Sequence, residues 1–260
     1  MRRIFDLFVS GGKDSVVAAT LGLEAAKEEG AEARVVFINE LKAFEVPVGV
    51  LSSTPLDYVK AFADWLGVEL LALEPKLNFW EGVKRWGYPL LYHCRWCFGM
   101  LKKPLFKELA YAEAKQGYFS VWVTGIRRLE SRERLRRYRE KRHRYTIGRR
   151  TVEFFHPILD WSDNQVDGFI KERKIPANPL WSLGFSCECL CLAGTTHRTL
   201  DRLIVEMPKL AEWLAERDEE IQKRRYKRPA YTAPLIGEKV TLSEYIKRKL
   251  SEPKLTDWVM

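Results

Sequence analysis

The chain lacks long apolar runs, and its cysteines are few. No stretch of its 260 residues approaches the roughly 18 consecutive apolar residues that a membrane helix requires. The apolar run at the start is interrupted by glycines and charges from Ser10 onward, so it does not read as a secretory leader, and a cytoplasmic protein is expected. Internal repeats and low-complexity linkers are absent. All five cysteines fall in two groups, Cys94 with Cys97 and Cys187 with Cys189 and Cys191, and residues 192–260 contain none. In a reducing compartment, clusters of this kind suggest metal or redox chemistry more than structural disulfides.

Charge is abundant but unevenly placed. The net charge is +9, and the stretch from Arg127 to Arg150 alone holds twelve Lys or Arg against three Glu, an excess of nine. The remainder of the chain is neutral. A block like this suits a polyanion or a phosphorylated ligand; a solvated helix face is the plainer reading.

Apolar runs alternate with helical patterns along most of the chain. Strands are expected at Ile4–Val9, Arg34–Asn39, Val68–Leu73, Tyr118–Thr124 and near Val152–Phe155. Helices are expected from Lys13 to about Glu29, Pro55 to Leu66, Trp80 to Trp86, Lys102 to Lys115 and Asp163 to Lys174, with a charged helical tail beyond about Pro208. This order implies an α/β fold with a doubly wound, mostly parallel sheet of about five strands. The expected division is a domain over 1–200 and a helical extension over 201–260. Trp65, Trp80, Trp86, Trp122 and Trp161 fall in apolar elements and read as core.

In such a sheet, ligands bind where the strands end and a glycine-rich turn feeds a helix. SGGKDS, Ser10 to Ser15, stands at that point after the first strand. Gly11 and Gly12 let the backbone approach an anion, and the following helix presents its first N–H groups. It is neither the three-glycine dinucleotide fingerprint nor the Walker loop, which needs Gly, four residues, then Gly-Lys. The hexapeptide resembles the SGGxDS pyrophosphate loop of the PP-loop ATPases. RWCFGMLKKPL (Arg95–Leu105), TGIRRLESRERL (Thr124–Leu135), HPILDWS and NPLWSLGFS follow in an order that resembles the phosphoadenosine phosphosulfate reductase family. The last sixty or so residues resemble nothing recognisable.

The resemblance implies an adenine nucleotide, ATP or a sulfonucleotide, on Ser10, Gly11, Gly12, Lys13, Asp14 and Ser15, with room for Mg2+. It adds Arg127, Glu130, Ser131 and Arg134, whose guanidinium forks suit phosphate or sulfate oxygens, and Lys102 from the LKKPL block. Asn39 and Glu40 stand where the family often carries Asp after the second strand. Lys13, Asp14, Arg127 and Cys189 are the expected catalytic residues. By spacing alone, Cys94, Cys97, Cys187, Cys189 and Cys191 fit either zinc or an iron–sulfur cluster; the resemblance implies a 4Fe–4S cluster. His93, His156 and His197 read as packing or capping residues.

Two enzymatic functions follow from the resemblance. In one, ATP activates an oxygen of a tRNA or DNA acceptor and sulfur displaces AMP, with residues 127–150 contacting the nucleic acid. In the other, a thiolate reduces a sulfonucleotide; the cysteine-free stretch after Cys191 counts against it. A nucleotide- and cluster-binding regulator is a third reading. A sulfur-donor or thioredoxin-like partner and a homodimer are left open.

Overall fold

The computed structural model describes residues 2–51, 53–89, 95–182, 197–224 and 240–252. The chain packs as two units. The first comprises residues 1–40, 53–75 and 101–188; the second comprises 41–52, 76–100 and 189–260. The C-terminal helices therefore share a unit with two short segments from earlier in the chain.

The first unit is built on a six-stranded sheet: β1 (Arg2–Phe8), β2 (Glu32–Ile38), β3 (Glu69–Leu73), β4 (Tyr118–Val123), β5 (Arg142–Ile147) and β6 (Arg150–Phe155). Their spatial order is β3-β2-β1-β4-β6-β5, and every pairing is parallel except β5 with β6. Strands buried on both faces alternate between two cores, because successive side chains point to opposite sides. Phe5, Leu7, Val35, Phe37, Val121 and Val123 pack on one face with α1 (Lys13–Glu28), α3 (Pro55–Leu66) and α7 (Asp163–Glu172). Val36, Trp122 and Val152 pack on the other with Leu109 and Ala110 of α5 (Lys103–Lys115).

That second face also holds charge. Arg34 donates through Nε to Asp6 Oδ1 at 2.9 Å and through Nη2 to Glu113, which accepts from Ser120 as well. Asp6 is fully buried, and burial together with the neighbouring Glu113 carboxylate raises its acid well above the ordinary range.

Six strands stand where about five were expected. The additional one, β5, lies inside the basic run and is half exposed with no buried position, so no alternation of apolar residues announces it. Two tryptophans also depart from expectation: Trp65 and Trp86 are 40% and 38% exposed, whereas Trp80 and Trp122 are buried and Trp161 is half-covered. Both exposed rings sit in the last turn of a helix, Trp65 in α3 and Trp86 in α4 (Phe79–Trp86).

The second unit also contains α2 (Leu41–Phe44), α8 (His197–Glu206), α9 (Pro208–Arg224) and α10 (Leu242–Ser251). Aromatic rings fill its interior: Phe44 stacks on Phe79 at 4.1 Å, Phe79 on Trp96 at 5.4 Å, and Trp80 meets Trp213 edge-on at 5.7 Å. Indole N–H groups are satisfied by backbone, Trp80 donating to Phe44 O and Trp96 to Gly87 O. Asp218 is fully buried and accepts from Tyr88 and from both the amide and the hydroxyl of Ser243.

Candidate functional site

The segment Ser10–Ser15 leaves β1 at its carboxyl end and enters α1. Gly11 has φ +88°, a left-handed geometry that strains any side chain, and Gly12 is the N-cap, with no side-chain acceptor to satisfy the first turn. The turn is held by its serines. Ser15 donates to Gly12 O at 2.7 Å and accepts from the Ser10 amide at 3.1 Å, while Ser10 Oγ accepts from the Gly12 amide at 3.3 Å. A second anchor comes from far along the chain: Asn178 Nδ2 and Trp181 Nε1 both donate to Gly11 O, at 3.0 and 2.8 Å. Uncapped N–H groups at the positive end of a 16-residue helix form a ready anion site.

Arg127, just beyond β4, is buried beside this turn at 8% exposure. Its guanidinium pairs with Asp14 at 3.0 Å and Asp163 at 2.7 Å, and donates to Trp161 O at 3.3 Å. Burial raises the Asp14 carboxyl above its ordinary range, and the hydrogen bond and charge of Arg127 pull it back. Arg134 also lowers it, which brings that side chain's field to the same carboxylate. Gly125 is where the strand end meets the helix: a Cβ there would fall 2.5–2.7 Å from the backbone of Asp14 and Ser15.

The other anticipated residues take different places. Lys13 pairs with Asp167 of α7 at 2.8 Å, both side chains nearly half exposed. Asn39 and Glu40 follow β2 at the same sheet edge and are buried; Lys102, at the end of a π-helical turn (Phe98–Lys102), pairs with Glu40 at 3.1 Å. Glu130 pairs with Arg134 and accepts weakly from the Arg127 amide, and Ser131 caps the short helix α6 (Arg132–Arg137) by accepting from Arg134 N. These three shape the backbone after Arg127. Asp163, Asn178, Trp181 and Gly125 received no role from the sequence; NPLW contains two of them, and the spacing gave no sign that both aim at Gly11.

The basic run divides by environment. Arg128 pairs with Asp160, and Arg142 bridges Glu29 and Glu153 while lying 4.3 Å over the Phe155 ring. Arg132, Arg136, Arg137, Arg139, Arg144, Arg149 and Arg150 are exposed. His156 is fully buried at the end of β6 with Nδ1 2.7 Å from Thr124 Oγ1, and burial lowers its pKa to about 4, with the nearby His143 adding to the shift. Its ring lies against Tyr138 and His143 at 5.1 and 5.2 Å.

Among the anticipated thiols, Cys94, Cys187, Cys189 and Cys191 lie outside the described residues, as does His93. Cys97 is buried next to Trp96, whose ring occupies the space a Cβ at Gly82 would need. Among the described residues no helix is long and apolar enough to cross a membrane.

Comparison with known proteins places the chain in a family. Residues 6–188 match the phosphoadenosine phosphosulfate reductase domain. An uncharacterized protein of Methanocaldococcus jannaschii is 30% identical over 78% of this chain and 39% of its own length. A phosphoadenosine 5'-phosphosulfate reductase of Proteus mirabilis is 29% identical over 37% of this chain and 33% of its own. The chain thus spans about two fifths of the length of the archaeal relative. Among solved structures, the U34-tRNA thiolase NcsA from Methanococcus maripaludis, with its 4Fe–4S cluster, aligns over 97% of this chain and 84% of that one, at 13% identity and a TM-score of 0.45. With the family domain matched over residues 6–188, most of its length, the chain belongs to the phosphoadenosine phosphosulfate reductase family.

Proposed function

We propose that the chain binds ATP on Ser10–Ser15 and uses it to activate an oxygen of a nucleic-acid acceptor for replacement by sulfur. The observation that carries the reading is the uncapped start of α1 at Gly12, pinned by Ser10, Ser15, Asn178 and Trp181 and flanked by the buried Arg127. Backbone N–H groups hold the phosphates, and Arg127, oriented by Asp14 and Asp163, faces the charge that develops as pyrophosphate departs. In the reaction, the acceptor oxygen attacks the α-phosphorus and the bond to the β-phosphate oxygen breaks. A sulfide-level sulfur then attacks the activated carbon, AMP leaves with the original oxygen, and the sulfur's proton passes to solvent. Cys94, Cys97, Cys187, Cys189 and Cys191 are the donors the chain offers to a 4Fe–4S cluster or zinc; a cluster would supply sulfur at the sulfide level. The exposed arginines after Arg128 support a polyanionic acceptor.

The second reading is sulfonucleotide reduction, favoured by the reductases among the sequence relatives. One experiment separates the two: anaerobically purified protein is incubated with ATP and bulk tRNA, or with a sulfonucleotide and a dithiol, and pyrophosphate and sulfite are measured. Pyrophosphate released only with tRNA supports the first reading. Sulfite release without it establishes the second.

A further inference from the structure

Resting on the nucleotide reading, we propose that Glu40 selects nucleotides with free ribose hydroxyls and rejects those carrying a phosphate on the ribose. The residue lies two positions beyond the end of β2, and β2 pairs in parallel with β1, Val36 opposite Phe8. The turn Ser10–Ser15 and Glu40 therefore leave adjacent strands at the same sheet edge. In the dinucleotide-binding doubly wound fold, whose glycine fingerprint differs from SGGKDS, an acidic side chain beyond the second strand meets the ribose 2'-hydroxyl and an arginine accommodates a 2'-phosphate; Glu40 holds the equivalent topological position.

The carboxylate is placed for that choice. Glu40 is 2% exposed, its Oε1 pairs with Lys102 at 3.1 Å, and its Oε2 has no hydrogen-bond partner among the described residues. A buried carboxylate oxygen without a donor is unfavourable, and a hydroxyl group supplies the missing proton donor. A phosphate brings only acceptors and negative charge at neutral pH, so it meets repulsion at the same atom. Lys102 offers a ribose phosphate little relief, since its charge at this edge is already matched by Glu40. The selection bears on function because it separates ATP and a sulfonucleotide with an unmodified ribose from a 3'-phosphorylated one.

The test uses the full chain and two ligands, AMP and adenosine 3',5'-bisphosphate, with ATP as the control for nucleotide binding, by calorimetry at neutral pH. AMP is expected to bind at least about tenfold more tightly, the discrimination one like-charge contact gives. In Glu40→Gln the difference should shrink to within about threefold, with circular dichroism confirming that the variant is folded. Equal binding of both ligands to the wild-type chain overturns the proposal and leaves the nucleotide reading standing. Binding of neither AMP nor ATP overturns both. The wild-type comparison decides the matter even where the variant does not fold.

Discussion

Arg127 and Arg137 belong to one basic run in sequence and to different surroundings in the fold. Arg127 is buried, and its planar fork is shared among Asp14, Asp163 and a backbone carbonyl. Arg137 is exposed on α6, with its guanidinium near the Tyr138 ring. Counting charge treats them alike. What separates them is the presence of carboxylates within reach of a desolvated guanidinium, which turns a mobile charge into a fixed one. Arg128 and Arg142 stand between the two, partly exposed but paired with carboxylates, and Arg132, Arg136 and Arg139 join Arg137.

The largest effect is expected at Arg127. Arg127→Ala leaves Asp14 half-buried without its main counter-charge, and removing one partner of a buried pair costs about 3 kcal/mol or more. Nucleotide affinity should fall by about a hundredfold, the equivalent of somewhat under 3 kcal/mol. Arg127→Lys should recover charge and only part of the affinity, because an ammonium cannot span both carboxylates. Urea melts and calorimetry read both quantities. A loss no larger than that of Arg137→Ala would erase the distinction between the two groups.

His156 sits where the two environments meet, bonded to Thr124 on one side and packed against Tyr138 and His143 of the basic run on the other. Its folded pKa of about 4 lies below the ordinary value of 6.5, so the native state resists the proton that the unfolded chain accepts. Stability from this residue is complete above pH 6.5 and is lost as pH falls toward 4, by about 3 kcal/mol at the acid end. Asp6 and Asp14 shift the other way, so the informative quantity is the difference between the wild type and His156→Phe. That difference should steepen below pH 6.5. Parallel profiles for the two proteins would show that His156 does not control the seam.

Gly125→Ala tests the fixed side of the comparison without touching a charge. The added methyl meets the backbone of Asp14 and Ser15, which cannot swing aside as a side chain can, and a cost of about 1–3 kcal/mol is expected together with weaker nucleotide binding. Gly168→Ala, with nothing within 4 Å of its new methyl and a helical backbone, should be neutral or slightly stabilising. Equal melting points for the two variants would mean that the first turn of α1 can shift freely.

The sheet and the glycine turn after β1 were legible because both are local. β1 through β4 are short apolar runs with turns after them, and SGGKDS is contiguous. The remainder of the site is assembled over distance. Asn178 and Trp181 reach Gly11 across more than 160 residues, and Asp163 reaches Arg127 across 36. No periodicity in one sequence encodes such a pairing. β5 was hidden for a different reason: an edge strand paired on one side tolerates RHRYTI, whose polar surface has the composition of a loop. The basic run likewise looked uniform, since partners such as Glu29 and Glu153 for Arg142 come from elsewhere in the fold.

The smallest effect on stability, and the sharpest on binding, should come from Arg132, Arg136, Arg137 and Arg139 replaced together by Gln. Each is exposed, and each surface change should alter stability by no more than about 0.5 kcal/mol. ATP affinity should be unchanged, because the buried set around Arg127 is intact. If these arginines meet nucleic-acid phosphates, each contact releases condensed counterion, and the logarithm of affinity falls with the logarithm of salt by about 0.7–0.9 per phosphate. Losing four contacts should flatten that slope by about three for tRNA measured between low and moderate salt. Arg142→Gln should leave the slope nearly as it was and lower the melting point instead, since that side chain serves Glu29, Glu153 and the Phe155 ring. A slope that drops with Arg142 and not with the four exposed residues would invert the assignment and remove the basic face from the proposed acceptor site.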